Sequence, residues 1–85
     1  MKEFKYVITD PEGIHARPAG ELIKAVKDFS SSITISKDGK TADAKRIFGV
    51  MGLAAKQGQE ITMRAEGADE EAAISAIEAF LKANL

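Results

Sequence analysis

The stretch ITMRAEGADEEAAISAIEAFL, residues 61–81, contains the pattern that decides the fold. Ile61, Met63 and Ala65 alternate with polar residues, and this period of two is typical of a half-buried strand. After Gly67 the apolar residues recur every three or four positions, which places them on one side of a helix. Asp69 is positioned to cap that helix, and the acidic residues that follow it complement the positive helix end. The predicted inward stripe of the helix comprises Ala73, Ile74, Ile77, Phe80 and Leu81.

The same two periods predict five further elements upstream of this stretch. They are a strand over 4–9, a helix over 16–29, a strand over 33–36, a strand over 40–43 and a brief helix over 47–54. The element order is therefore β-α-β-β-α-β-α. Helices with one apolar stripe must lie on one face of a four-stranded sheet. We expect a two-layer α/β (α+β) sandwich.

Length and composition restrict the function classes. A chain of 85 residues can bury one core, so residues 1–85 are expected to form a single domain. Cysteine is absent and the N-terminus lacks a long apolar run, so we expect a cytoplasmic protein that is not inserted into a membrane. The formal net charge of −1 gives no overall attraction for nucleic acid.

The chemistry of the chain is expected at the start of the helix that begins at Ala16. His15 precedes this helix, whose first N–H groups have no partner within the helix and favour anions. Arg17 adds a guanidinium that can donate two parallel hydrogen bonds to two oxygens of one phosphate. We find no glycine-rich nucleotide loop and no carboxylate cluster for a metal, so we expect neither cofactor nor metal. On position alone, His15 could instead act only as a helix cap.

The motif Gly13-Ile14-His15-Ala16-Arg17-Pro18-Ala19 closely resembles the active-site signature of the histidine-containing phosphocarrier proteins, HPr, of the bacterial sugar phosphotransferase system. The segments 49–51 and 67–73, the chain length and the element order resemble the same family. The resemblance implies the HPr-like open-faced sandwich, in which three helices cover one face of a four-stranded antiparallel sheet.

The resemblance also implies a function. In this family phospho-enzyme I, charged by phosphoenolpyruvate, phosphorylates the matching histidine on Nδ1, and the group then passes to IIA domains of sugar permeases. His15 would be that histidine, and Ala16, Arg17 and Pro18 would surround the phosphoryl group. The protein would be a carrier rather than an enzyme, and a monomer is the simplest expectation for a shuttle.

The partner surface is predicted around the first two helices. Gly20, Lys24 and Lys27 share a face with Arg17 that suits an acidic partner. The second helix is apolar along its length, yet a short helix can bury only one side, so some apolar side chains must stay exposed. The further predicted contacts are Lys45, Arg46, Ile47, Phe48 and Met51, whereas Val50 and Leu53 are predicted to face the core.

Arg46 departs from the family pattern, because HPr proteins of many Gram-positive bacteria have a regulatory serine at the matching position. No regulatory serine is therefore predicted here.

Two alternative functions remain open. One is a regulatory HPr-like module, such as a nitrogen-branch relative, that binds partners according to its phosphorylation state. The other is an RNA-binding domain with a basic patch of Lys37, Lys40, Lys45 and Arg46, against which the net charge and the absence of an aromatic stacking platform argue.

Overall fold

The protein contains four strands and three helices in the predicted order. A computed structural model describes residues 1–85. Its elements are β1 (Lys2–Val7), α1 (Ala16–Val26), β2 (Ser32–Lys37), β3 (Lys40–Asp43), α2 (Ile47–Gly52), β4 (Glu60–Glu66) and α3 (Glu70–Asn84). The predicted element order β-α-β-β-α-β-α is confirmed.

The four strands form one sheet in the order β1-β4-β2-β3, and every neighbouring pair is antiparallel. Met63 of β4 lies at the centre of the sheet, opposite Phe4 of β1 on one side and Ile35 of β2 on the other. The β2–β3 hairpin turns at Asp38 and Gly39, which both have positive φ, as the tightest hairpin turns require. The predicted open-faced antiparallel sandwich with three helices is confirmed.

The core lies between one face of the sheet and the helices. It contains 18 buried hydrophobic residues in a single cluster. The alternating residues of β4 are fully buried, as the period of two predicts, while Thr62 and Arg64 lie on the opposite, open face. Helix α3 contributes Ala73, Ile77 and Leu81 to the core. No helix of the protein is both long and apolar enough to span a membrane.

Four predicted element ends, in three elements, are wrong by two or three residues. Strand β1 covers 2–7 rather than 4–9, because the N–H of Ile8 already leaves the sheet and donates to the carbonyl of Gln59 at 3.0 Å. Helix α1 ends at Val26 rather than at residue 29. After Val26 the chain forms a tighter turn, in which the N–H of Phe29 donates to the carbonyl of Val26 at 3.1 Å. Helix α2 ends at Gly52 rather than at residue 54, since Ala54 has a φ of +52° and cannot continue a right-handed helix.

The predicted N-cap position of Asp69 is confirmed, but its side chain has a different role. Asp69 occupies the N-cap position of α3, but its carboxylate makes no capping hydrogen bond. It accepts hydrogen bonds instead from the N–H of Ser30 at 2.8 Å, from the N–H of Ser31 at 2.9 Å and from the Ser31 hydroxyl. These bonds, led by that from the Ser31 hydroxyl, lower the pKa of Asp69 to about 2. Asp69 therefore ties the α1–β2 loop to the start of α3 rather than completing its own helix.

Candidate functional site

His15 stands at the N-cap of α1, with an extended backbone at φ −116°. Its carbonyl oxygen accepts the first helical hydrogen bond, from the N–H of Ala19 at 3.0 Å. The imidazole makes no capping hydrogen bond, and 37% of the side chain is exposed. The ring is therefore accessible, and the alternative that His15 serves as a side-chain cap is not what the geometry shows.

The first turn of α1 offers two unpaired backbone donors. The N–H groups of Ala16 and Arg17 form no backbone hydrogen bond, as expected at the start of a helix. Pro18, the third residue in which phosphate contacts are predicted, has no N–H group to donate, and its ring is buried. The donors beside His15 are thus the amides of Ala16 and Arg17.

The loop that precedes His15 is held against the segment after α2. Gly13 has a φ of +68°, and a Cβ built on it would lie 2.3 Å from the carbonyl oxygen of Ala55 and 2.7 Å from the Cα of Lys56. The next residue, Ile14, is buried and donates its N–H to the same Ala55 oxygen at 2.9 Å. Only glycine fits at position 13, and this close approach fixes where His15 begins the helix.

Glu12 is a neighbour of His15 that the sequence analysis did not single out. Its Oε2 lies 3.4 Å from Nε2 of His15, and 74% of its side chain is exposed. The backbone of Glu12 is fixed by a hydrogen bond from its N–H to the Asp10 carboxylate at 2.8 Å. The signal that could have found it is the separation of three residues in a turn, which brings two side chains onto the same side.

The predicted basic face of α1 is on the surface. Arg17, Lys24 and Lys27 are exposed, and none of the six ion pairs of the protein includes them. Gly20 lies on the side of α1 that faces α2, where a Cβ built on it would be 3.9 Å from the side chain of Ile47. The two helices are therefore adjacent at Gly20 and Ile47.

Helix α2 divides its apolar residues between core and surface, as predicted. Val50 is fully buried and Leu53 is 5% exposed, so both belong to the core. Phe48 is 85% exposed, the largest exposed fraction among the big apolar side chains. Ile47 and Met51 are half-buried and pack against the core. The exposed apolar surface of α2 therefore consists mainly of Phe48, with the rims of Ile47 and Met51.

Lys45 and Arg46, both predicted on the partner surface, have different surroundings. The ammonium group of Lys45 donates to the carbonyl oxygen of Phe29 at 2.6 Å, so it is already occupied within the chain. Arg46 is 81% exposed and lies 3.7 Å from the Asp43 carboxylate, a contact that leaves most of the guanidinium in water. Arg46 is available at the start of α2, whereas Lys45 ties that start to the loop that follows α1.

The arrangement suits a covalently held anion. A ring nitrogen that is accessible and uncapped stands beside two unpaired amides at the positive end of an 11-residue helix. An exposed guanidinium two residues along can neutralise further charge on the same anion. The site has no enclosed pocket around it, so a small molecule would be held by the bond to His15 rather than by burial.

Comparison with known proteins gives a consistent result. The model of the family described as "PTS HPr component phosphorylation site" matches residues 2–83. The phosphocarrier protein HPr of Lysinibacillus sphaericus is 44% identical over 81 residues, which cover 95% of this chain and 92% of that protein.

Two solved structures extend the comparison. HPr of Thermoanaerobacter tengcongensis superposes with a TM-score of 0.93 at 41% identity, covering 98% of this chain and 93% of that one. Crh of Bacillus subtilis, described as a catabolite repression protein that forms a swapped dimer, superposes with a TM-score of 0.79 at 34% identity, covering 100% and 98%. The chain belongs to the HPr family of phosphocarrier proteins of the phosphotransferase system.

Proposed function

We propose that this chain accepts a phosphoryl group on Nδ1 of His15 from phospho-enzyme I and passes it to the IIA domains of sugar permeases. The observation that carries the proposal is the accessible, uncapped His15 ring at the start of α1, beside the free amides of Ala16 and Arg17. The relative from Lysinibacillus sphaericus is named a phosphocarrier, which supports the same role here.

The transfer step uses few groups of the protein. The lone pair of Nδ1 attacks phosphorus in line, a bond between nitrogen and phosphorus forms, and the bond to the donor breaks with its electron pair leaving on the donor. Charge on the phosphoryl oxygens is then stabilised by the Ala16 and Arg17 amides, the helix end and the Arg17 guanidinium. Pro18 contributes a fixed φ to the first turn rather than a donor. Transfer to the acceptor reverses these steps.

Partners are proposed to dock on α1 and α2. Arg17, Lys24 and Lys27 present positive charge, and Phe48 presents an apolar side chain next to it. An aromatic anchor surrounded by charge is the composition that protein interfaces favour. Arg46 adds positive charge at the edge of this surface. Between the two helices the surface is formed by Gly20, Ile47 and Met51. Lys45 contributes indirectly, because its hydrogen bond to Phe29 fixes the start of α2.

The proposal extends to the domain content, the oligomeric state and the cellular location of the protein. A carrier of one domain, 1–85, without cofactor, acts as a covalent intermediate and not as a stand-alone catalyst. We propose that it works as a monomer in the cytoplasm. Light scattering after size exclusion should give a mass near 9.1 kDa, and twice that value would contradict the monomer.

Labelled phosphoenolpyruvate with purified enzyme I tests the function. The wild type should acquire acid-labile label and lose it when a IIA domain is added, and His15→Ala should acquire none. Arg17→Ala should be labelled about tenfold more slowly, because one charge-assisted contact to the phosphoryl group is lost. Lys40→Ala removes the same charge at the exposed β2–β3 turn and should match the wild type.

A wild type that remains unlabelled with enzymes I of both the sugar and the nitrogen branch would contradict the proposal. A regulatory HPr-like module is the remaining alternative, and Crh shows that the family includes a protein named for catabolite repression. Such a module would take up label without returning it to any IIA domain. The second half of the experiment therefore separates the two functions.

A further inference from the structure

We infer that Glu12 is a positioning residue for phosphoryl transfer, which holds the His15 ring through Nε2 so that the Nδ1 lone pair faces the incoming phosphorus. The inference deepens the proposed function and depends on it. Its basis is the juxtaposition of Oε2 of Glu12 and Nε2 of His15 at 3.4 Å, while the ring makes no capping bond through its other nitrogen.

Backbone hydrogen bonds hold Glu12 in a fixed position relative to His15. The N–H of Glu12 donates to the Asp10 carboxylate at 2.8 Å, and the N–H of Gly13 donates to the Asp10 carbonyl at 3.0 Å. Gly13 is in turn pressed against Ala55. The Cα of Glu12 is therefore fixed relative to His15, and only the exposed carboxylate arm moves.

The distance suits a contact that tightens during reaction. At 3.4 Å the two atoms lie just beyond an ordinary hydrogen bond, and such contacts in a resting protein often shorten when the reacting group arrives. A small rotation of the exposed Glu12 arm brings Oε2 onto Nε2–H. Because a carboxylate only accepts, it selects the tautomer in which Nε2 carries the proton and Nδ1 is bare.

Charge gives Glu12 a second effect. When Nδ1 binds phosphorus, its lone pair becomes the new bond and the ring, which keeps the Nε2 proton, acquires positive charge. The Glu12 carboxylate stabilises this charge by accepting the hydrogen bond, and no proton is transferred. When the phosphoryl group departs, the bonding pair returns to Nδ1. A carboxylate behind a catalytic histidine acts in the same way in hydrolytic triads.

Repulsion between Glu12 and the phosphoryl group is the opposing effect. The carboxylate lies beside Nε2, the ring nitrogen that does not react, whereas the phosphoryl group would be bonded to Nδ1 on the other side of the ring. The carboxylate is therefore closer to the positively charged ring, which it attracts, than to the phosphoryl oxygens, which it repels. Since Glu12 is largely exposed, solvent screening limits its net effect on the rate to about three- to fivefold.

Three variants separate the contributions. Glu12→Ala removes both the acceptor and the charge, and Glu12→Gln retains a neutral acceptor. The control Glu66→Gln makes the same charge change at an exposed carboxylate opposite Ser32, at the far end of the sheet, where it forms no ion pair.

The first measurement is the tautomer of His15, read from long-range proton–nitrogen NMR correlations at about pH 9, above the ordinary range of imidazole titration. The wild type, Glu12→Gln and Glu66→Gln should show a protonated Nε2 and a bare Nδ1. Glu12→Ala should show an increased share of the Nδ1–H form. An unchanged tautomer ratio in Glu12→Ala would overturn the positioning role.

The second measurement is the phosphorylation rate with enzyme I and, separately, with phosphoramidate, a small donor that needs no docking. Glu12→Ala should be about three- to fivefold slower with both donors, with Glu12→Gln in between and Glu66→Gln unchanged. Equal or faster labelling of Glu12→Ala would show that repulsion prevails and would refute the inference. If enzyme I fails to label even the wild type while phosphoramidate reveals the Glu12 deficit, the proposed function falls and the role of Glu12 stands.

Discussion

Gly13→Ala probes the contact that positions the functional histidine. Gly13 is buried, has a φ of +68°, and lies so close to the segment after α2 that a Cβ would be 2.3 Å from the Ala55 carbonyl oxygen. That oxygen also accepts the hydrogen bond from Ile14. Any displacement therefore shifts the residue immediately before His15.

The cost of this substitution has two parts. An L-residue at positive φ costs about 1–2 kcal/mol. Forcing a methyl group into the Ala55 backbone adds about 1–3 kcal/mol, as for other overpacked sites, because a rigid carbonyl rather than a flexible side chain must move. The sum is about 2–5 kcal/mol, a large part of the total stability of about 5–15 kcal/mol for a small domain.

Gly58→Ala supplies the matched control. Gly58 has a φ of +86°, but nothing lies within 4 Å of a Cβ built on it, so only the backbone cost of about 1–2 kcal/mol applies. Urea unfolding followed by circular dichroism measures both variants. We expect Gly13→Ala to lose more stability than Gly58→Ala and to accept label from phosphoenolpyruvate and enzyme I more slowly. Equal losses in the two variants would refute the assignment of a close backbone contact at Gly13.

Three further predictions concern other parts of the molecule. Because the pKa of Asp69 is lowered to about 2 in the folded protein, its contribution to stability is present above its ordinary pKa near 4 and is lost as the pH falls towards 2. The difference in unfolding free energy between wild type and Asp69→Asn, measured by urea titration, should therefore shrink as the pH falls from about 4 to about 2. A constant difference would contradict the role of the carboxylate charge. Phe48→Ala should weaken enzyme I binding about tenfold in calorimetry while changing the unfolding free energy by less than about 0.5 kcal/mol, since the side chain is 85% exposed. Leu22→Ala, in the core side of α1, should lose about 2–5 kcal/mol in the same unfolding assay, and a loss below 1 kcal/mol would show that the site is not close-packed.

The location of the site at a helix end has an energetic rationale. The unpaired amides of Ala16 and Arg17 belong to exposed residues, so water satisfies them while no anion is present. Preorganised donors of this kind need no rearrangement when charge arrives. The buried side of the same helix, with Leu22 and Val26, supplies the rigidity.

Much of the fold followed from local patterns. The period of two in β4 predicted which of its residues are buried, and Asp38-Gly39 predicted the hairpin, because both features depend only on residues close in sequence. Val50 of α2 and Leu53 just after it face the core, as predicted. The differences lie at element ends, where contacts with distant segments decide when a hydrogen-bond pattern stops, and in the side-chain partners of Asp69.

The sequence by itself determined the element order, the inward faces and the location of His15 ahead of a helix, because these depend on short-range periodicity and on the sterics of neighbouring residues. Only the tertiary structure decided the strand order, the attachment of Asp69 to Ser31, and the use of the Lys45 ammonium at the Phe29 carbonyl. Those contacts join residues far apart in the chain, and their partners are chosen by how the layers pack rather than by any local propensity.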